Sequence, residues 1–253
     1  MFFDSHAHYD DRQFNEDRDS LLSNMKNMGV GYILNAASDI KSSRFSLKLA
    51  RQYDFIYAAV GVHPHEVAHL VDEDINIIRE LSRGEKCVAI GEIGLDYYYD
   101  HSPRDMQRLW FKKQLELAKE LNLPYIVHER EACLDCLTIL DEVGYFNGVM
   151  HCFSGSLETA KTLIKKGMYI SLGGPVTFKN ARHSVEVAGN IPLEKLLIET
   201  DSPYLAPVPV RGKRNDSSNL KYIAQKIAEI RGVDVSVIEN ATMENAKRFF
   251  GIS

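Results

Sequence analysis

Short apolar runs alternate along this chain with longer stretches in which apolar residues recur at helical spacing. Eight of the short runs are predicted to be strands: Phe2–Asp4, Tyr32–Ala36, Ile56–Gly61, Val88–Glu92, Tyr125–His128, Gly148–His151, Tyr169–Leu172 and Leu196–Asp201. Strand and helix alternate throughout, which is typical of a parallel sheet rather than of separate α and β halves. The pattern therefore predicts an α/β protein, a (β/α)8 TIM barrel. At 253 residues the chain has the length of one such domain, residues 1–253.

Capping residues predict where several helices begin and end. Ser102-Pro103 is a favourable start, a cap followed by a proline at the first helical position. Leu157–Lys166 should form a helix that ends at Gly167, because glycine accepts the left-handed conformation of a C-cap. Thr242 can cap the last helix, which should end at Gly251.

Side chains of the kind that bind metals follow many of the predicted strands. In a (β/α)8 barrel the active site is built at the carboxyl ends of the strands, so residues spread over the whole sequence meet on one face. Imidazoles and carboxylates that meet there predict a metal centre, with room for two ions. The candidates are His6, His8, His63, His65, Glu92, His128, His151 and Asp201.

Local chemistry favours particular roles for three positions. His6 and His8 are two residues apart on a predicted strand, so both imidazoles can face one ion, although hydrogen-bonded histidines would give the same pattern. Glu92 leaves an apolar strand, where a carboxylate needs compensation by a metal or by an arginine. Asp201 ends the eighth run and can contact both a metal and a water, which suits a general base.

Charge and cysteine content narrow the function classes. A formal net charge of −5 does not indicate a protein that binds nucleic acid through bulk electrostatics. The one local exception is the basic run Arg211-Gly212-Lys213-Arg214, which predicts either an anion-binding rim or a solvated loop. We expect a cytoplasmic protein without a membrane segment, in which Cys133 and Cys136 are reduced helix thiols rather than a zinc or redox site.

Seven ordered motifs of this chain resemble the TatD family of metal-dependent deoxyribonucleases. They are Phe3-Asp4-Ser5-His6-Ala7-His8, Gly61-Val62-His63-Pro64-His65, Ile90-Gly91-Glu92-Ile93-Gly94-Leu95-Asp96-Tyr97, His128-Glu129-Arg130, His151-Cys152-Phe153-Ser154-Gly155, Glu199-Thr200-Asp201-Ser202-Pro203-Tyr204-Leu205 and Arg211-Gly212-Lys213-Arg214-Asn215. The resemblance covers nearly the whole chain and implies a TIM barrel of the amidohydrolase type. It also implies two divalent metal ions, and the imidazole and carboxylate ligands suit Mg, Mn or Zn. His6, His8, Glu92 and Asp201 would hold one ion, and Glu92, His128 and His151 the other.

The same resemblance implies hydrolysis of DNA phosphodiester bonds, commonly from the 3′ end, with single-stranded DNA or 3′ ends as the substrate. Glu92 and Asp201 would be the catalytic residues. His63, His65, Arg130, Arg211 and Lys213 would bind the DNA.

One departure from the family pattern is expected to loosen the rim loop. Asp216-Ser217-Ser218 follows the basic run, where the family usually has an acidic residue and then a proline.

Two alternatives remain open on the residues alone. One is a metal-dependent hydrolase of esters or amides, acting on a small molecule or an aminoacyl nucleic acid. The other is a protein that associates with nucleic acid without catalysis.

Overall fold

Eight strands appear in the computed structural model, which describes residues 1–253, and helices follow them along the chain. The strands are Phe2–Ala7 (β1), Val30–Ala36 (β2), Ile56–Val60 (β3), Cys87–Asp96 (β4), Tyr125–Arg130 (β5), Gly148–Met150 (β6), Tyr169–Leu172 (β7) and Leu196–Ile198 (β8). They form one sheet in the order β1 to β8. Each of the eight predicted runs is therefore confirmed as a strand, and the fold is the (β/α)8 TIM barrel that the sequence predicts.

The nine α-helices are Arg18–Asn24 (α1), Ile40–Gln52 (α2), Asp74–Ser82 (α3), Arg104–Leu121 (α4), Cys133–Val143 (α5), Leu157–Lys166 (α6), Arg182–Asn190 (α7), Leu220–Arg231 (α8) and Val235–Phe250 (α9). None of them has the length and apolarity that crossing a bilayer requires. The four cysteines are free thiols, and the two on α5 lie in its first turn.

The predicted helix boundaries hold in part. Gly167 ends α6 with a φ of 117°, and Gly251 ends α9 with a φ of 67°, both as expected. Thr242 does not cap α9, and that prediction was wrong. Asp234 caps the helix by accepting a hydrogen bond from the Ser236 amide, whereas the Thr242 hydroxyl donates within the helix to the carbonyl of Ile238.

The chain divides into two compact units, residues 1–35 with 152–253, and residues 36–151. In the first unit Phe3 is buried and stacks on Phe250 of α9, with ring centroids 5.7 Å apart. Ala7 bridges to Ser202 in parallel, so the segment after β8 runs beside the end of β1. In the second unit β3 to β6 pair in parallel, and Trp110 and Tyr125 are fully buried. The single domain over residues 1–253 stays a prediction.

Candidate metal centre

The first cluster of candidate ligands lies in the unit of residues 1–35 and 152–253. The Nε2 atoms of His6 and His8 are 3.0 Å apart. The Oδ1 atom of Asp201 lies 3.3 Å from Nε2 of His8 and 3.7 Å from Nε2 of His6. Ligand atoms about 2.1 Å from a tetrahedral ion are separated by about 3.4 Å. The three donor atoms therefore form a triangle of the size that one divalent ion needs.

Main-chain hydrogen bonds fix Asp201 against the two histidines. The Asp201 amide donates to the carbonyl of His6 at 2.9 Å, and the His8 amide donates to the carbonyl of Ser202 at 2.7 Å. Asp201 has a φ of 56°, in the left-handed region that residues other than glycine seldom occupy. Such a conformation persists where the surrounding contacts hold it, and it often occurs at functional sites. Here it lies three residues beyond the end of β8, where the carboxylate contacts His8.

Asp4 is a buried carboxylate on β1 that supports this cluster. It accepts hydrogen bonds from the amide of Thr200 at 2.9 Å, from the hydroxyl of Thr200 at 2.5 Å and from the hydroxyl of Ser217 at 2.6 Å. Burial raises the pKa of Asp4 to about 7, although these hydrogen bonds oppose the rise. Asp4 thus links β1, the end of β8 and the loop after the basic run.

Ser217 stands where the resemblance leads one to expect proline. Its amide donates to the Tyr9 hydroxyl at 2.9 Å, and its own hydroxyl donates to Asp4. The preceding Asp216 accepts a hydrogen bond from the Ser218 amide and so closes a short 3-10 turn, Ser217–Asn219. A proline could make neither bond of Ser217. These contacts argue against the looser loop that the sequence led us to expect.

The second cluster lies in the unit of residues 36–151. The Oε1 atom of Glu92 is 2.9 Å from Nδ1 of His128 and 2.8 Å from Nε2 of His151. The two imidazole nitrogens are 3.3 Å apart. This triangle again has the size of a coordination site, and a carboxylate as buried as Glu92, 3 % exposed, needs polar partners such as these.

Glycines bring β4 and β5 close enough to form this cluster. A Cβ atom at Gly91 would lie 2.8 Å from Cβ of Ile126, and one at Gly94 would lie 1.9 Å from the carbonyl oxygen of His128. Gly94 also has a φ of 146° and is opposite His128 in the strand register. Glycine is therefore required at both positions for β4 and β5 to approach this closely.

Asp96 is a candidate functional residue that the sequence did not single out, although it lies in the motif around Glu92. Its Oδ2 atom accepts hydrogen bonds from Nε2 of His65 at 2.9 Å and from Nε2 of His128 at 3.0 Å. Its Oδ1 atom accepts from the amides of Tyr98 and Tyr99. Burial alone would raise the pKa of Asp96, but the bonds from His128, the Tyr99 amide and His65 outweigh it and lower the pKa. An ionised Asp96 holds His128 with its Nδ1 atom towards Glu92, as the partner of a metal-bound histidine does.

A family model described as TatD related DNase matches residues 3–251 of the chain. The chain belongs to the TatD family. Among TatD-family relatives, the Bacillus subtilis (strain 168) protein named uncharacterized metal-dependent hydrolase YabD is 47 % identical, with both chains covered completely. A Shigella flexneri serotype 5b (strain 8401) protein named 3'-5' ssDNA/RNA exonuclease TatD is 36 % identical over 99 % of each chain.

A solved structure of the TatD family agrees with the fold. The crystal structure of YJJV, a TatD homolog from Escherichia coli K12, superposes with a TM-score of 0.93 at 30 % identity, over 100 % of this chain and 98 % of that one. The resemblance read from the motifs is thereby confirmed. The protein is a metal-dependent hydrolase of the TatD family, and its imidazole and carboxylate donors fit divalent ions such as zinc, manganese or magnesium.

Three of the predicted substrate contacts lie near the second cluster: His63 and His65 follow β3, and Arg130 ends β5. His63 has its Nε2 atom 3.6 Å from Oε1 of Glu92, and its donor atom groups with those of Glu92 and His128 within 4.8 Å. His63 is therefore close enough to serve as a ligand as well as a substrate contact. His65 is held by Asp96, and Arg130 lies over the rings of Tyr98 and Tyr99.

The basic run contributes its charges unequally. Arg211 and Lys213 are exposed, and the Arg211 guanidinium lies over the ring of Phe178 at 4.1 Å. Arg214 instead donates to both carboxylate oxygens of Asp17, at 2.8 and 2.6 Å. The ion pair of Arg214 with Asp17 therefore stabilises the loop. The positive charges that remain for an anionic ligand are those of Arg211 and Lys213.

Glu199 is a second residue that the sequence analysis did not select. It is fully buried, and its Oε1 atom accepts a hydrogen bond from the Cys152 amide at 2.6 Å. Cys152 follows the candidate ligand His151 and has a φ of 43°, so Glu199 stabilises an unusual turn next to a ligand. One feature of the sequence could have identified Glu199 as a candidate. It is a carboxylate at the end of an apolar run, two residues before Asp201.

Proposed function

We propose that this TatD-family hydrolase is a deoxyribonuclease that uses two divalent ions and degrades single-stranded DNA from the 3′ end. The observation that carries the proposal is the pair of donor triangles, one in each unit, with the spacing of metal ligands. In this proposal His6, His8, Glu92 and Asp201 hold one ion, and Glu92, His128 and His151 hold the other. The fold class supports it, because barrels of this kind carry their active sites at the carboxyl ends of the strands.

Divalent ions, when bound, polarise phosphoryl oxygens and lower the pKa of water towards neutrality. Asp201 would then act as the base, since its side chain remains 14 % exposed while its backbone is fixed against His6. The water oxygen forms a bond to phosphorus as Asp201 accepts the proton. One P–O bond of the backbone breaks, and the leaving oxygen keeps the electron pair and takes a proton from solvent.

Local positive charge would hold the DNA, because the chain as a whole carries a net charge of −5. His63, His65 and Arg130 would contact phosphates beside the second cluster, and Arg211 and Lys213 would do so at the rim. The name of the Shigella relative supports a single-stranded nucleic acid as substrate and makes RNA a second polymer to test.

Digestion of end-labelled oligonucleotides tests this function. Metal-free protein is supplied with Mg²⁺, Mn²⁺ or Zn²⁺ and given single-stranded DNA or RNA labelled at the 3′ or the 5′ end. We expect the 3′ label to be released at once as a mononucleotide and the 5′-labelled strand to shorten step by step. Asp201→Asn should slow the reaction at least about 10²-fold, because it removes the base.

The same assay separates the alternatives. Cleavage of an activated ester without cleavage of DNA would identify an ester or amide hydrolase. Binding of DNA without turnover of either substrate would identify a non-catalytic protein. Full activity of Asp201→Asn would exclude Asp201 as the base.

A further inference from the structure

The loop after β4 exposes aromatic side chains beside the second cluster. Tyr98 is 53 % exposed and Tyr99 is 51 % exposed. The guanidinium carbon of Arg130 lies 4.0 Å from the ring centroid of Tyr98 and 4.7 Å from that of Tyr99. The exposed His101 ring is parallel to that of Tyr99 within 7°, with centroids 5.6 Å apart. We call these four residues the aromatic platform.

Hydrogen bonds hold the aromatic platform in place. The amides of Tyr98 and Tyr99 donate to Oδ1 of Asp96 at 3.0 and 2.8 Å, and the other oxygen of Asp96 accepts from His128. Further along the loop, Asp100 forms an ion pair with Arg104 of α4 at 3.0 Å. The two tyrosines are thus fixed to the same carboxylate that orients a candidate metal ligand.

From this arrangement we infer that the aromatic platform stacks a nucleobase of the single-stranded substrate, next to the phosphate that is cut. The inference rests on the proposed nuclease function and adds a subsite to it. Exposed aromatic rings and arginine planes are the groups on which proteins stack unpaired bases, and stacking tolerates any sequence. Arg130 adds positive charge over the rings, which favours a polyanion.

The platform also gives a reason for selecting single strands. In a duplex both faces of an internal base are covered by its neighbours, so no face is available to Tyr98 or Tyr99. An unpaired base near a 3′ end has such a face. The expected ligand is therefore one base of single-stranded DNA or RNA, at a fixed number of nucleotides from the cleaved bond.

Ring removal and base removal together test the inference. We would measure kcat and KM of four variants: Tyr98→Ala, Tyr99→Ala, Tyr98→Phe and Tyr99→Phe. The substrates are an intact short single-stranded DNA and a series of the same strand in which one nucleotide is abasic, at successive positions from the 3′ end. On intact DNA the alanine variants should raise KM about 5- to 150-fold, the range of one lost base–aromatic stack. The phenylalanine variants should stay close to the wild type, because they keep the ring.

At one abasic position the difference in KM between the wild-type protein and the alanine variants should disappear. With the abasic nucleotide at that position, the wild-type protein has no base to stack. Its affinity should fall by the same factor that the alanine substitutions cost on intact DNA. The affinity of the alanine variants should not fall further, because they have already lost this stack. Tyr222→Ala, which removes a half-buried tyrosine from α8, is the matched control and should leave KM unchanged. Metal content, measured by elemental analysis, should be the same in all variants.

Several results would overturn the platform. Equal sensitivity of the wild-type and alanine proteins to every abasic position would show that no base stacks there. A phenylalanine variant as weak as the alanine variant, or loss of bound metal in the alanine variants, would show that the tyrosines only support the loop. If the wild-type protein neither binds nor cuts single-stranded DNA or RNA, the proposed function itself fails. If it cuts them and the alanine variants cut equally well, the platform alone fails.

Discussion

Replacing Asp96 by asparagine should weaken metal binding at the second cluster without changing the shape of the site. The carboxylate of Asp96 accepts from the imidazoles of His65 and His128 on one oxygen and from two loop amides on the other. Asparagine keeps an oxygen for the amides of Tyr98 and Tyr99 but presents an NH2 group to the imidazoles. Nε2 of His128 must then accept a hydrogen bond, which moves its proton to Nδ1, the atom that faces Glu92.

The size of the effect follows from the role of Asp96. Removing the hydrogen-bond partner of a metal-bound histidine commonly costs 10- to 100-fold in metal affinity, which corresponds to about 1.4–2.7 kcal/mol. Because Asp96→Asn reverses the tautomer of His128 and does not merely remove a partner, we expect a loss of about 100-fold. The same reversal in a catalytic triad is known to be severe.

Titration of metal-free protein with Zn²⁺ or Mn²⁺ against a chromogenic chelator measures this loss. Asp100→Asn is the matched control, because Asp100 lies on the same loop and pairs with Arg104 rather than with an imidazole. The control should bind metal like the wild-type protein. Wild-type affinity in Asp96→Asn, with an intact fold by circular dichroism, would refute the view that Asp96 sets the tautomer of His128.

Three further predictions follow from the described contacts. Neutralising Arg211 and Lys213 together should weaken binding of single-stranded DNA and lower the salt dependence by about 0.7 per lost phosphate contact; an unchanged slope would make the run a solvated loop. Ser217→Ala should lower the free energy of unfolding in urea by about 1–3 kcal/mol, because a buried hydrogen bond to the Asp4 carboxylate is lost; no loss would contradict that role. Burial alone would lower the pKa of His128, but its bonds to carboxylates raise it above 6.5. The stability that this residue gives the metal-free protein should therefore be complete below pH 6.5 and be lost as pH rises through the raised pKa, in a thermal-shift series. Metal affinity should change in the opposite sense and fall as pH drops through the same pKa, since protons and metal compete for the ring. A flat profile in both measurements would contradict the raised pKa.

Much of the fold could be read from the sequence because strands of a parallel sheet are buried on both faces and appear as continuous apolar runs. The ends of these runs were less certain. Gly148–His151 and Leu196–Asp201 were expected to be strands to their last residue, yet β6 ends at Met150 and β8 at Ile198. The backbone turns to positive φ at Cys152 and Asp201, and the apolar pattern does not encode that turn.

Residues whose role depends on distant partners were harder to predict. Asp96 lay in a motif, but its importance arises from two imidazoles and two amides that only the folded chain brings together. Arg214 was grouped with the other charges of the basic run, whereas its partner Asp17 lies near the other end of the sequence. Thr242 looked like a cap because threonine is common at that position, and the sequence alone could not show that Asp234 is used instead.

The two oxygens of Asp96 face different parts of the protein, and under the proposed function this division would couple nucleic-acid binding to metal binding. One oxygen restrains the tyrosine loop, and the other restrains a candidate metal ligand. A nucleic acid that orders Tyr98 and Tyr99 would then also restrict His128, so nucleic acid and metal should each bind more tightly in the presence of the other. Thermodynamic linkage makes the two enhancement factors equal, whichever ligand binds first. The affinity of this hydrolase for its ions would then depend on whether nucleic acid is bound. The protein would retain metal during digestion and release it more readily in the absence of nucleic acid.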